Sequence, residues 1–102
     1  MTMAKGYWIG RVEVHNEEGY KPYAAANPGI FKKFGAKFVV RAGQYECPEG
    51  ESRSRNVVIE FPDYATAVAC YRSPEYQANI RVRLPHSIVD LVIIEGYDGP
   101  QP

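Results

Sequence analysis

The pattern of hydrophobic and polar positions divides the first third of the chain into a strand and a helix. Residues 7–14 (YWIGRVEV) alternate as in a strand whose two faces differ. From Glu17 the large side chains recur every three or four positions, which predicts a helix that Gly35 ends in the left-handed conformation. The Pro-Gly pair at 28–29 lies inside this helix, so we expect a kink or a break near Asn27, and the stripe that continues in phase beyond it favours a kink.

Two strands joined by a turn are predicted next. Residues 37–46 (KFVVRAGQYE) and 52–61 are rich in strand-forming side chains, and CPEGE at 47–51 supplies the proline and glycine of a hairpin connection. Gly43 interrupts the first of these strands and is a candidate bulge position. The pattern therefore predicts an antiparallel pair.

Two short helices and a last strand complete the pattern. Asp63, directly after Pro62, is placed to cap one helix, and Ser73-Pro74-Glu75 is a start signal for another. Residues 84–86 (LPH) are expected to form a loop. Residues 88–95 (IVDLVIIE) are expected to form a strand that is apolar on both faces.

The order strand, helix, strand, strand, helix, strand predicts an α+β fold of the ferredoxin-like βαββαβ type. Its four strands would form an antiparallel sheet with the helices on one face, and residues 1–102 would form a single domain. Two helices cover only one face, yet VVIEF and LVIIE are apolar on both. We therefore predict a homodimer in which the two uncovered sheet faces pack together.

Charge and cysteine usage restrict the classes of partner. Twelve basic and twelve acidic residues cancel, so the chain lacks the broad positive surface of a nucleic-acid-binding protein and the polybasic segment of a membrane-bound one. No apolar run reaches the length of a membrane span. Cys47 and Cys70 form no CxxC motif and are interpreted as reduced thiols. The sequence predicts a cytoplasmic protein with neither a nucleic-acid nor a membrane partner.

Tyrosine is the residue that offers the most candidate chemistry, because five of the eight tyrosines lie on predicted helices. The simpler interpretation is that their rings pack the core between helices and sheet. The alternative is a pocket in which their hydroxyl groups orient a ligand. The candidate ligand-binding residues are Tyr20, Tyr23, Arg41, Tyr71 and Tyr76.

Arg41 is a candidate because it lies between apolar residues of the second predicted strand, on the same side as Val39 and Tyr45. If that side faces the helices, the guanidinium needs a carboxylate such as Glu60 or Asp90, or an anionic ligand. A small carboxylate would suit its forked geometry.

Histidine offers the candidate proton carrier. His15 and His86 are the only side chains that titrate near neutrality unaided, and both lie at the ends of predicted elements, where solvated histidines are common. His86 is the better candidate for a catalytic role, with haem ligation as a disfavoured alternative. The chain has no Ser-His-Asp spacing, phosphate-binding loop or metal-ligand cluster, so neither a metal nor a cofactor is predicted.

Four segments carry a resemblance to a known family. KGYWIGRVEVHNEEGYKPY, GAKFVVRAGQYE, RNVVIEFPDYATAVACYRSPEYQ and DLVIIEGYDG resemble the domain-of-unknown-function family 1330 of the dimeric α+β barrel superfamily. The resemblance implies the same fold and a dimer. It implies no single activity, because the superfamily includes cofactor-independent monooxygenases, isomerases, haem proteins and binding proteins. The chain departs from the family in the Asn-Pro-Gly sequence at 27–29.

Two functions remain open at this point. The first is a homodimer that binds a small molecule, carboxylate or aromatic, between sheet and helices, with or without cofactor-independent catalysis. The second is a non-catalytic dimeric binding or interaction module in which the same residues only fill the core. A cavity of roughly a few hundred Å³ that contains Arg41 or His86 would favour the first. A filled core with every polar atom paired would favour the second.

Overall fold

A computed structural model describes residues 4–102 and shows one four-stranded sheet with helices packed against it. Neighbouring strands are antiparallel, in the order β2-β3-β1-β4. The predicted ferredoxin-like α+β fold is therefore confirmed. The strands are β1 (Gly6–Val14), β2 (Lys37–Arg41), β3 (Arg55–Phe61) and β4 (Ser87–Glu95), and the helices are α1 (Glu17–Lys33), α2 (Tyr64–Arg72) and α3 (Pro74–Arg83).

Both predicted caps of the central helices are confirmed. The Asp63 carboxylate accepts a hydrogen bond of 2.7 Å from the Thr66 backbone N–H at the start of α2. The Ser73 hydroxyl accepts one of 3.2 Å from the Tyr76 N–H at the start of α3. These bonds satisfy backbone donors that have no partner inside a helix, which is why α2 and α3 begin where the sequence predicts.

The first helix is continuous over the range that the sequence predicts. α1 continues through both Pro22 and Pro28, so the break considered at the Pro-Gly pair does not occur. Buried residues lie on both sides of Pro28 along one stripe of the helix, and packing against the sheet can offset the one hydrogen bond that a proline removes. Gly35 has φ of +65° and ends the helix as predicted.

The predicted antiparallel pairing of β2 with β3 is confirmed, but the short turn predicted between them is wrong. β2 ends at Arg41 instead of residue 46, and β3 begins at Arg55 instead of residue 52. Ala42 has φ of +52°, a left-handed conformation that turns the chain out of the sheet. Residues 42–54 therefore form a long loop. The register irregularity lies between Phe38 and Val40, instead of at Gly43.

Residues 84–86 also differ from the sequence prediction. They form a single 3₁₀ turn before β4 instead of the expected loop.

The two faces of the sheet have different surroundings. On the inner face, Trp8 and Phe61 are almost fully buried against the helices, and the Trp8 Nε1 donates a 2.8 Å hydrogen bond to the Ala67 carbonyl of α2. On the outer face, Ile9 lies opposite Val92 in β4 and is 40% exposed, while Val92 is 56% exposed. Within residues 4–102, nothing covers this apolar outer face.

Candidate functional site

A cavity of about 150 Å³ lies between the inner face of the sheet and helices α1 and α3. A dry apolar cavity of this size accommodates a benzene-sized molecule. Its wall contains Trp8, Gly10, Val12, Val57, Ile59, Val89 and Leu91 from the sheet, Tyr20, Tyr23, Ala24, Asn27, Phe31 and Tyr76 from the helices, and Phe38, Arg41, Ala42 and Arg55 at the β2 and β3 ends.

Gly10 explains why the space exists. It lies on the inner face of β1 between Trp8 and Val12, where the alternation calls for an inward side chain. A Cβ at this position would meet Leu91 Cδ1 at 3.6 Å, an ordinary contact, so the backbone leaves room that glycine does not fill. Glycine inside a strand is a known sign of a close approach or a binding site, and it is the sequence signal that could have located the cavity.

Aromatic rings form much of the cavity wall. The centre of the Trp8 ring lies 4.8 Å from that of Tyr76 and 5.4 Å from that of Phe31, with the rings in edge-to-face arrangements. Phe31 in turn lies 5.7 Å from Phe38. Rings held by one another in this way form a rigid apolar surface that suits a flat aromatic ligand.

A polar group of side chains lies at the α1–α3 side of the cavity. The hydroxyl oxygens of Tyr23 and Tyr76 are 2.6 Å apart and share a buried hydrogen bond. The Asn79 amide nitrogen donates to the Tyr23 backbone carbonyl at 3.2 Å and to Asn27 Oδ1 at 2.9 Å. Burial raises the pKa of Tyr76, and the neighbouring Tyr23 raises it further, so this hydroxyl stays protonated.

Arg83 is the buried residue that sequence reasoning missed. Only 6% of it is exposed. Its guanidinium carbon lies 5.4 Å from the centre of the Tyr23 ring, and its Nε has no hydrogen-bond partner. The helical spacing of Arg83 with Tyr76 and Ile80 places it on the buried face of α3, and that spacing is the signal that could have found it.

Arg41 lies on the wall at the exposed end of β2, with its guanidinium carbon 4.3 Å from the centre of the Phe38 ring. The prediction that Arg41 pairs with Glu60 or Asp90 is wrong, because both carboxylates face the other side of the sheet. Glu60 lies 3.2 Å from Lys37 and Asp90 lies 2.6 Å from Arg53.

The irregularity between Phe38 and Val40 accounts for the position of Arg41. It puts Arg41 opposite Val57, on the cavity side of the sheet, instead of with Val39 and Tyr45. Within residues 4–102, Arg41 takes part in none of the ion pairs.

Arg55 contributes a second guanidinium to the wall, and it is already paired. Its Nη2 lies 2.8 and 3.0 Å from the two carboxylate oxygens of Glu17, and its guanidinium carbon lies 5.5 Å from the centre of the Tyr20 ring. Burial raises the pKa of Tyr20 to about 12. Tyr20 is therefore neutral at physiological pH. Because Glu17 balances the charge of Arg55, the net positive charge of the cavity wall at the β2 and β3 ends comes from Arg41.

Four of the six sequence-predicted site residues line the cavity: Tyr20, Tyr23, Arg41 and Tyr76. Tyr71 does not; its ring packs at the edge of Trp8, with the ring centres 5.9 Å apart. His86 does not line it either. Its imidazole packs on Gly19 of α1, where an added Cβ would lie 2.5 Å from the ring, and its carbonyl accepts hydrogen bonds from the backbone after β1.

Other potentially reactive groups lie outside the cavity. Cys47 and Cys70 are both free thiols, and burial raises the pKa of the Cys70 thiol to about 12. Across residues 4–102 there is no group of three or more histidine, cysteine, aspartate or glutamate side chains placed to hold a metal ion. The same part of the chain contains no helix that is both long and apolar enough to cross a membrane.

Comparison with protein families gives a family without an assigned activity. Residues 5–97 match the family described as a domain of unknown function, DUF1330. The chain belongs to this family. The sequence resemblance is therefore confirmed, and with it the ferredoxin-like fold of the dimeric α+β barrel superfamily. No curated protein matches the chain significantly.

Several solved structures share the fold of this DUF1330 chain at low sequence identity. It is similar to RPA0582, a protein of unknown function from Rhodopseudomonas palustris, with a TM-score of 0.70 and 20% identity over 94% of this chain and 85% of that one. It is similar to SnoaB, a cofactor-independent oxygenase from Streptomyces nogalater, with a TM-score of 0.62 and 13% identity over 97% and 96%.

A protein of unknown function from Bacteroides thetaiotaomicron, described as a possible oxidoreductase, has a TM-score of 0.52 and 12% identity over 90% of this chain and 97% of that one. At these identities the likeness shows the fold alone.

Proposed function

We propose that this protein is a homodimer that binds a small aromatic or carboxylate-bearing molecule in the cavity between sheet and helices. The observation that carries the proposal is an aromatic-walled cavity of about 150 Å³ with the unpaired guanidinium of Arg41 at its exposed side. The volume is below the few hundred Å³ of sites for drug-sized molecules, so the ligand is about the size of one substituted ring.

The polar groups support binding over a purely structural role. In a core that only stabilises the fold, buried polar atoms are expected to be paired. Here Arg83 Nε is buried without a partner close to the Tyr23 and Tyr76 hydroxyls. A buried guanidinium nitrogen that has no partner within residues 4–102 and lies behind the hydroxyl groups of the cavity wall is expected near a ligand site, and it argues against the non-catalytic module in which these side chains merely fill the core.

The outer face of the sheet supports the homodimer. Its exposed apolar residues come from three strands and form one surface, and a second copy offers the same surface for a two-fold contact. Asp90 on this face is already paired with Arg53 at 2.6 Å, and contact between two copies would leave that pair intact. The exposed apolar residues of this face are Ile9, Val40, Ile88, Val92 and Ile94.

The structural likeness to SnoaB supports a further hypothesis, that this protein also catalyses a reaction without a cofactor. The hydroxyl pair of Tyr23 and Tyr76 would then be the reactive part of the wall. His86, the proton carrier predicted from the sequence, would need a ligand that reaches beyond the cavity, so a role for it is the weaker part of this hypothesis.

Tryptophan fluorescence tests the binding directly, because Trp8 is the only tryptophan and lies in the cavity wall. Titration with benzoate or phenol should change its emission saturably, whereas glucose, a polar molecule of similar size, should not. Sedimentation of the free protein should give twice the 11.5 kDa chain mass. Absence of a saturable change with every single-ring compound would refute the site, and a monomer at micromolar concentration would refute the dimer.

A further inference from the structure

The α1–α3 end of the cavity, defined by Tyr23, Tyr76, Asn27 and the Arg83 behind them, offers several hydrogen-bond donors, and none of these four side chains carries a carboxylate. The two tyrosines share one proton in their 2.6 Å contact, which leaves one hydroxyl proton without an acceptor in the protein. The Asn79 nitrogen donates to one lone pair of Asn27 Oδ1, and the NH₂ group of Asn27 is left as a further donor. We call this set of groups the donor end.

The charge of the donor end is positive, and the neutral side chains of Tyr23 and Tyr76 lie against it. Only 6% of the Arg83 surface is exposed. Within residues 4–102, no carboxylate forms an ion pair with it. A guanidinium keeps its proton at any physiological pH, so burial cannot neutralise it. A buried cation of this kind is stabilised by an anion that arrives from outside the protein.

We propose that the donor end binds the oxygen of a phenol or enol in its deprotonated form, with the ring of the ligand against the aromatic wall. This inference rests on the proposed function, since it names the class of ligand for the same cavity. Binding breaks the O–H bond of the ligand and releases the proton to solvent, while the oxygen keeps the electron pair. No oxidant, metal or protein base is required for this step.

The geometry favours an oxyanion over a neutral oxygen. Fixed donors in a water-poor site stabilise negative charge more strongly than water does, and the effect is largest where a cation lies behind them. Tyr76 keeps its own proton because burial raises its pKa, so negative charge at this hydroxyl contact resides on the ligand. Arg83 is absent from the cavity wall and acts through the two hydroxyls, so it is a positioning residue.

The titratable and charged groups that face the cavity leave a bound oxyanion without a competing negative charge. None of them is a free carboxylate, because the one acidic residue nearby is held by Arg55. They are Glu17, Tyr20 and Tyr23 from α1, Tyr76 and Arg83 from α3, Arg41 from β2, and Arg55 from β3.

A nitrophenol is the probe, because its phenol and phenolate forms absorb at different wavelengths. The absorbance of the bound probe is followed between pH 5 and 9 in the full chain. We expect the pKa of the bound probe to lie at least about one unit below that of the free probe. Arg83→Met should remove most of this shift, and Arg81→Met, which removes an exposed arginine from the same helix, should leave it unchanged.

Tyr23→Phe provides a second variant if Arg83→Met does not fold, which circular dichroism would show. It removes one hydroxyl of the pair and should weaken nitrophenolate binding about tenfold or more, while benzoate binding falls less.

The possible outcomes separate the two proposals. If nitrophenol binds with an unchanged pKa, or if the shift survives in both variants, the inference is wrong and the binding site stands. If benzoate binds but nitrophenol does not, the inference is also wrong. If no single-ring compound binds, the proposed function and the inference fail together.

Discussion

A single charge on the outer face of the sheet should separate the dimer. Val92 is 56% exposed in β4 and lies opposite Ile9 in the antiparallel pair. In the proposed dimer this side chain becomes buried, whereas in the monomer it is already half in water. Val92→Asp should therefore affect association far more than folding.

The magnitude follows from the exposure. Completing the burial of a valine side chain that is half exposed is worth about 1 kcal/mol, and two-fold symmetry counts this contribution twice. An aspartate in the same place adds an effective desolvation penalty of several kcal/mol per buried carboxylate. A total of at least about 4 kcal/mol raises the dissociation constant roughly a thousandfold.

Sedimentation velocity between about 1 and 100 μM protein measures this change. A thousandfold rise takes a dissociation constant of about 1 μM to about 1 mM, which lies above that concentration range. The wild type should sediment as a dimer and Val92→Asp as a monomer with an unchanged circular dichroism spectrum. Val82→Asp is the matched control, since Val82 is a partly exposed valine on α3, away from the sheet face. A Val92→Asp protein that remains dimeric would refute the assignment of this face as the interface.

Three further predictions concern the cavity, pH and packing. Gly10→Val should fill the cavity and abolish the saturable change in tryptophan emission, because the added Cβ has only ordinary contacts and the fold can accept it. Glu60, whose pKa is lowered chiefly by its hydrogen bond with Lys37, should contribute stability above its ordinary pKa of 4.5 that is lost as the pH falls below it. Gly6→Ala should lower the free energy of unfolding by about 1 to 3 kcal/mol, because the new Cβ would clash with the backbone carbonyl of Asp63.

Each of these three has its own control. Gly43→Val, in open space on the β2–β3 loop, should leave ligand binding intact, and a Gly10→Val protein that still binds would contradict the location of the site. Glu60→Gln should flatten the acid limb of denaturant-measured stability, so an unaltered limb would count against the Glu60 assignment. Gly29→Ala, where a Cβ meets nothing within 4 Å, should be as stable as the wild type or more stable.

Local chemistry in the sequence determined the elements and their order. Helix starts at Asp63 and Ser73 follow from side chains that satisfy neighbouring backbone donors, and the end at Gly35 follows from a conformation that glycine adopts without strain. The uncovered apolar face could also be predicted, since strand periodicity assigns side chains to faces and two helices cover one face only.

Tertiary structure decided which of the candidate residues meet. One register irregularity near Val39 moved Arg41 to the cavity side and away from its expected partners, and a one-residue shift of this kind reverses the face of every later side chain in the strand. Packing of α3 on α1 buried Arg83 beside Tyr23, while Tyr71, on a neighbouring helix, was left outside the cavity. Local sequence determines periodicity, but which faces come together depends on contacts between residues more than fifty positions apart, such as Tyr23 with Tyr76.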